Sequence, residues 1–528
     1  MKTIKKYNLN SIVIVFFTLL MTSCNAWLEE PPLGVTELDD YFSSGNAAIY
    51  STNAAYVPLS WEYNYTYYSE FFIGDVVSDD ALKGGQNLND MSDVYDMENF
   101  KTISNNGLLL DYYRTQYQGI GRCNLSLQEI PKMQLDSILT LNVKNRLIGE
   151  LKFLRAMYYF RLVRAFGGVP LVDFVLDSST KWQQPRASIS DIYAFIINDL
   201  EEANQFLWKK DEYAPKDLGR ATQGAAQAML LKANLYNHNY SEAKNWGDLI
   251  INSRQYNLVP DYASNFTLEG ENGPESVFEI QYTDDTTSDY GGGNGEGGNG
   301  YTRGTFSVTL TRSRSSLLGG GWGFDKPTQN LYDEYETGDI RRDATILNPT
   351  DAQIENPSQE IYLGSRYLNK KTGMYIGDNG YIALSHATRG PLNTKVIRYA
   401  DVLLMYAEAC CETNQLAEAK TALNSVRSRA RGATDFLPDF PYAPYSDNQT
   451  DLRKAIRHER RVELAMEGHR WFDLCRWDIV KETMDAYKTS ENPEAQSHIA
   501  EFIKGKHELF PIPSQEIDLN PMDQNPGY

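Results

Sequence analysis

Reactive side chains are scarce in this chain. Its 528 residues include only six histidines and five cysteines, and there is no CxxC pair, GxSxG elbow or P-loop. These absences remove the usual frameworks for a disulfide scaffold, a dithiol redox site and an activated serine. Positive charge is also in short supply. Lys and Arg total 50 against 70 Asp and Glu, a formal charge of −20, and no Lys/Arg stripe offers a local exception. Such a body repels phosphate backbones, which argues against nucleic acid as a partner; strongly anionic glycans are disfavoured on the same grounds. Finally, no apolar run reaches the roughly 20 residues a membrane-crossing helix needs.

One short apolar run does carry information. Lys2, Lys5 and Lys6 precede the uncharged stretch Ile12–Met21, and Ser23 stands directly before Cys24. The pattern is that of a removable export signal over 1–23. Leu20–Cys24 resembles a bacterial lipobox, with Met21 where leucine is commoner, so Cys24 is the expected lipidation site and new N-terminus. Loss of the three lysines takes the charge from −20 to −23. Lipid on Cys24 anchors the protein to a membrane without any spanning helix. Residues 24–38, with Glu29, Glu30, Pro31, Pro32 and Gly34, read as an extended tether. Cys123, Cys410, Cys411 and Cys475 are expected to be buried thiols.

Helical periodicity follows at about 38–57, 108–130, 142–166 and 188–207. Two later segments repeat each other. Ala233 and Ala243 are ten apart with Ile250 seven further on, and Ala409, Ala419 and Val426 keep the same spacing. Small residues there let two antiparallel helices close tightly, the logic of a tetratricopeptide hairpin. Two copies cannot bury a stack, so 108–166 and 451–480 are expected to supply degenerate ones. The expected fold is mostly α, a tetratricopeptide-like scaffold of about four units over 39–270 and 396–528. A loop-rich, partly β insertion over 271–395 is expected to carry the ligand site, with strands at Glu279–Tyr282 and Phe306–Leu310.

Several motifs are chemically empty on inspection. Gly293–Gly298 satisfies GxGxxG, but lacks the strand before and helix after that a dinucleotide site requires. His458-Glu459 begins like a zinc-protease helix, yet Val462 occupies the position of the second histidine. Asp79 and Asp80 lack EF-hand spacing, so no metal or cofactor is assigned, and structural calcium is left open. With seventy carboxylates, no acid pair can be singled out as a hydrolytic dyad, and no enzyme activity is expected.

Aromatic residues in loops are the positive signal. Tyr numbers 35 against 21 Phe and 8 Trp; most should fill helix seams. The run Trp61, Tyr63, Tyr65, Tyr67 and Tyr68 leads to Asp80 and then Gln86. Tyr290 and Tyr301 flank a segment with seven glycines in ten residues, and Trp322 sits between Gly321 and Gly323. Aromatic plates cover the C–H face of a sugar, while Asp and Gln fix its hydroxyls. Tyr67, Asp80, Gln86, Tyr290, Tyr301 and Trp322 are therefore the expected ligand contacts, Trp322 standing equally well as the core anchor of its turn.

The ordered blocks Gly149–Ala156, Gly167–Leu171, Glu271–Ile280, Ile397–Leu404, Glu459–Leu464, Glu467–Leu474, Leu509–Pro513 and Gln524–Tyr528 span nearly the whole chain. Together they resemble the SusD/RagB family of outer-membrane nutrient-binding lipoproteins. The resemblance implies a surface-exposed lipoprotein that captures neutral glycan for uptake and sits as a lid on a SusC-like TonB-dependent transporter. RagB-like members imply a second reading, peptide capture. Arg155, Arg398, Glu408, Glu463 and Arg470 lie within otherwise apolar helices and are expected to form buried ion pairs.

Overall fold

Four polar side chains set where the first long helices begin. Asn106 accepts from the N–H of Leu109, Thr140 from Val143, Ser188 from Asp191 and Thr222 from Ala225. Each bond satisfies one of the donors that a helix start leaves unpaired. The computed structural model describes residues 38–62, 69–176, 181–284, 304–431 and 436–528. After a turn at Leu38–Tyr41 it contains α1 (Gly45–Tyr56), α2 (Gly107–Glu129), α3 (Leu141–Phe166), α4 (Ile189–Phe206), α5 (Gln223–Tyr236) and α6 (Tyr240–Ser253). The chain later forms a short α7 (Ser307–Thr311), then α8 (Tyr399–Glu412), α9 (Leu416–Arg431), α10 (Gln449–Leu464), α11 (Arg470–Arg476) and α12 (Val480–Ser490). The fold is mostly helical, as expected.

Successive helices pack as antiparallel neighbours from α2 through α6, and α6 then meets α8, which packs on α9 and α10. Ala233, Ala243, Ala409 and Ala419 are all fully buried, as are Ile250 and Val426, so both hairpins close on alanine with an aliphatic side chain beside it. At Gly119 a Cβ would lie 2.3 Å from the Tyr158 ring. Only glycine lets α2 and α3 approach this closely. Cys123, Cys410 and Cys411 are buried thiols and Cys475 is half-buried.

The span between α6 and α8 is irregular, with short strands. β2 (Ser276–Ile280) pairs antiparallel with β4 (Thr394–Arg398), so the two ends of this span meet. β1 (Ala81–Gly84) pairs antiparallel with β3 (Phe324–Pro327). The strand expected at Phe306–Leu310 is instead the helix α7. Its alternating Ser-Val-Thr-Leu pattern suits a strand, but the Glu62 carboxylate accepts from the Phe306 N–H and from the hydroxyls of Thr305 and Ser307. A carboxylate at this position caps a helix start.

Buried charge locks the irregular span to the helices. Glu463 on α10 takes Arg341 at 3.0 Å, Arg398 at 3.0 Å and Arg429 at 2.5 Å. Glu275 takes Arg398 and Arg429, and Glu467 takes Arg398 and Lys371. Arg155 pairs with Asp199, Arg476 with Glu408, and Arg470 with Asp79. Burial alone would raise the Glu463 carboxyl, but Arg429, Arg398 and Arg341 hold it well below the carboxylate range. Broken singly, such pairs strand a charge in the core, so they fix register more than they add net stability.

Candidate ligand site

Glu62 is where the site is assembled. It lies in the aromatic run and is 7% exposed. Its oxygens accept from Thr305 Oγ1 at 2.9 Å, Ser307 Oγ at 2.5 Å and the Phe306 N–H. The hydroxyls of Ser69 and Ser307 lie 3.3 Å apart. Both ends of segment 63–68 are thus fastened to the residues that follow segment 285–303. The other end of that second segment is tied at Asp284, which accepts from Ser385 Oγ at 2.5 Å. Thr305 and Gly390 form an isolated antiparallel bridge, and Thr309 Oγ1 donates to the Thr388 carbonyl at 2.9 Å. Residues 381–390 therefore join the same locus.

Trp322 closes this assembly. Its ring meets Phe306 edge to face at 5.1 Å, and the Arg389 guanidinium covers Phe306 at 4.7 Å. The Trp322 N–H donates to the Thr309 carbonyl at 2.8 Å, and its own carbonyl accepts from Arg314 at 2.7 Å. Backbone and ring are both held, and the side chain is half-buried. Trp322 is thus anchored against the core while keeping part of its surface accessible. Nearby, Arg312 is fully enclosed; it donates to the carbonyls of Gly373 and Ile382 and lies 5.4 Å from the Tyr381 ring. Tyr381 is 38% exposed.

The pairing of β1 with β3 brings Gln86 to the same edge. Gly84 stands opposite Phe324, and the Gly85 N–H donates to the Gly323 carbonyl at 2.9 Å. The exposed Gln86 follows directly, its N–H donating to Asp90 at 2.8 Å, and Asp90 lies 3.8 Å from Arg314. Arg314 in turn holds the Trp322 carbonyl. Asp80 is placed differently. It is fully buried and accepts from Arg461 Nε at 2.8 Å, so its carboxylate works inside the fold, where an external sugar cannot reach it. Cys24, Tyr67, Tyr290, Tyr301 and the GxGxxG segment lie outside the described residues. His458 is salt-bridged to Glu334 and Glu336, and no metal-holding group of His, Cys, Asp and Glu occurs among the described residues.

Sequence reasoning missed Glu62, Tyr381, Arg312 and Arg389. A lone carboxylate inside a run of aromatics was the available signal for Glu62; the others carried none. Ser60, two residues before Glu62, lines a groove of about 280 Å³ with Tyr56, Leu218, Arg220 and Gln281. The Tyr282 hydroxyl donates to the Ser60 carbonyl at 3.4 Å. A mixed lining of rings, amides and balanced charge, Lys216 and Arg220 against Asp217 and Glu279, suits a hydroxyl-rich ligand better than an apolar or strongly charged one. Among the described residues no helix is long and apolar enough to cross a membrane.

This helical scaffold with an irregular, aromatic-bearing face is that of a SusD-like protein, and sequence comparison agrees. The SusD family profile matches residues 274–528, and a profile described as "Starch-binding associating with outer membrane" matches residues 47–235. The chain belongs to the SusD/RagB family. SusD-like protein P2 from Formosa agariphila is 26% identical over 99% of this chain and 100% of that protein. Among solved structures, a laminarin-binding SusD-like protein is 27% identical with a TM-score of 0.75, covering 92% of this chain and all of that one. Surface glycan-binding protein A from Bacteroides fluxus is 25% identical with a TM-score of 0.76 at the same coverage.

Proposed function

We propose that this protein is a non-catalytic, lipid-anchored surface receptor that binds a neutral glycan and hands it to a SusC-like TonB-dependent transporter. The observation that carries the reading is the meeting of the residues that flank the aromatic-bearing segments. Residues flanking 63–68 and 285–303 are bonded to one another through Glu62, Thr305 and Ser307 beside Trp322. Tyr67, Tyr290 and Tyr301 belong to these two segments and are assigned as ligand contacts together with Gln86, Trp322 and Tyr381. Relatives named for laminarin and glycan binding support the ligand class, and the outer-membrane description of the family supports the location. Cys24 is the proposed lipid attachment, with 24–38 as tether.

Affinity at such a site is modest, because sugar hydroxyls exchange water for protein partners at small net gain. The test is calorimetric titration against neutral polysaccharides, a β-glucan series among them, with a peptide digest as the competing class. A Trp322→Ala, Tyr290→Ala double variant should lose most of the heat. Flat heats with every glycan, or preference for the digest, would overturn the reading. Pull-down of a TonB-dependent channel with the anchored protein, and its loss on Cys24→Ala, checks partner and anchor.

A further inference from the structure

A second cleft, of about 580 Å³, opens among α10, α11 and α12. Its lining departs from the acidic character of the chain and corrects the expectation of no local basic exception, because α10 sets Arg457 and Arg461 one turn apart. Arg457, Lys454, His458, Arg461 and Arg470 face it, against Asp79, Glu334 and Glu482. Most of these charges are already spent on one another. Arg461 is bonded to Asp79, Asp80 and Glu334, Arg470 to Asp79, and His458 to Glu334 and Glu336. Burial alone would lower the His458 pKa, but the two glutamates raise it to about 9, so the ring is a cation at neutral pH.

Arg457 is the exception. Among the described residues its buried Nε has no hydrogen-bond partner. Its α10 neighbours one turn away are both satisfied, Arg453 by Glu412 and Arg461 as above. The guanidinium lies 4.9 Å from the Trp477 ring, whose Nε1–H is committed to Glu408 at 2.8 Å. Lys454, one turn from His458, has only the loose Asp451 contact at 3.8 Å and is exposed. A half-buried arginine that feels Arg453 and Arg476, has Glu408 and Glu412 only at longer range, and makes no salt bridge among the described residues is costly to the folded protein. That cost is removed when an anion arrives.

We infer that this cleft is an oxyanion site, in which the Arg457 fork and the Lys454 ammonium grip a carboxylate or sulfate group carried by a small ligand. The fork geometry of arginine matches two oxygens of either group. The volume exceeds that of a bare ion and falls in the range of small-molecule sites, so an acidic sugar fits as well as inorganic sulfate. The residues are separate from Glu62, Gln86 and Trp322, and the inference does not depend on the neutral-glycan reading.

The test is calorimetry at fixed ionic strength, with sodium sulfate, sodium glucuronate and a sulfated galactose disaccharide titrated against a chloride background. Saturable one-site binding is expected, weakened about ten-fold or more in Arg457→Gln, a charge-assisted bidentate contact being lost. Arg457→Lys should fall between the two, since it keeps the charge and loses the fork. Arg457→Gln should unfold no earlier than the native chain in chloride, because no native bond is broken, and sulfate should raise the melting temperature of the native chain only. A tighter disaccharide than sulfate assigns the site to acidic sugars, and equal affinities assign it to the free oxyanion; both support the site. Indistinguishable sulfate and chloride titrations, or unchanged sulfate binding in Arg457→Gln, would overturn it.

Discussion

The carboxylate of Glu62 accepts a hydrogen bond from the backbone N–H of Phe306, 244 residues further along the chain. That contact turns a strand-like sequence into a helix start and fastens Glu62, which precedes one aromatic-bearing segment, to the residues that follow the other. Glu62→Gln places an amide N–H₂ against donors that need an acceptor. It should cost about 1–3 kcal/mol of stability in urea unfolding and weaken glycan binding more than an equally destabilising substitution elsewhere. If affinity holds while stability falls, Glu62 is only a brace.

The Glu463 hub has a different signature. Glu463→Gln leaves Arg341, Arg398 and Arg429 short of a buried counter-charge, with an expected loss of about 3–5 kcal/mol. The same network sets the acid limit. Burial would raise the Glu467 and Asp473 carboxyls, but Arg398 with Lys371, and Arg460 with Arg476, hold both at about 2. A depressed carboxyl contributes stability above its unfolded value, and that contribution fades as pH falls toward the folded one. Unfolding monitored by circular dichroism should therefore become easier steadily below about pH 4.5.

Asp325 acts in the opposite direction. Burial, opposed by a hydrogen bond from Asn369 and reinforced by Asp80, raises its carboxyl to about 8. A raised carboxyl contributes fully below the unfolded value, and its contribution is lost as pH climbs through the folded one. The native protein should lose stability between about pH 4 and pH 8 from this group. Asp325→Asn keeps the shape, tolerates the left-handed φ of 55°, and removes that dependence. It should be more stable than the native chain at pH 8, by on the order of a few kcal/mol; equal pH slopes would refute the assignment.

Local signals explain what the sequence made legible. Helices near 107, 141, 189 and 223 begin at Asn, Thr or Ser caps, and the alanine spacing of 233/243 and 409/419 names the tight hairpins directly. The charges embedded in apolar helices announce pairs, though not their partners. Residues 306–310 alternate like a strand, but the deciding cap comes from Glu62, across the fold, and alternation alone cannot reveal it. A carboxylate beside aromatics points to a ligand contact in sequence, yet Asp80 is fully buried. Its partner, Arg461, is brought in by α10 from the far end of the chain.

Asp80 and Gln86 give the sharpest separation of scaffold from site, since six residues of one strand and turn place them in opposite environments. Asp80→Ala strips a buried partner from Arg461, which keeps Asp79 and Glu334. It should cost about 2–4 kcal/mol while the folded protein binds glycan as before. Gln86→Ala removes an exposed amide whose backbone, not its side chain, makes the local bond to Asp90. Stability should stay within about 0.5 kcal/mol, and affinity should fall about three- to ten-fold, one neutral hydrogen bond's worth. Thermal unfolding and titration of the two variants side by side decide the matter. Loss of binding in folded Asp80→Ala, or none in Gln86→Ala, would move the ligand away from the β1–β3 edge.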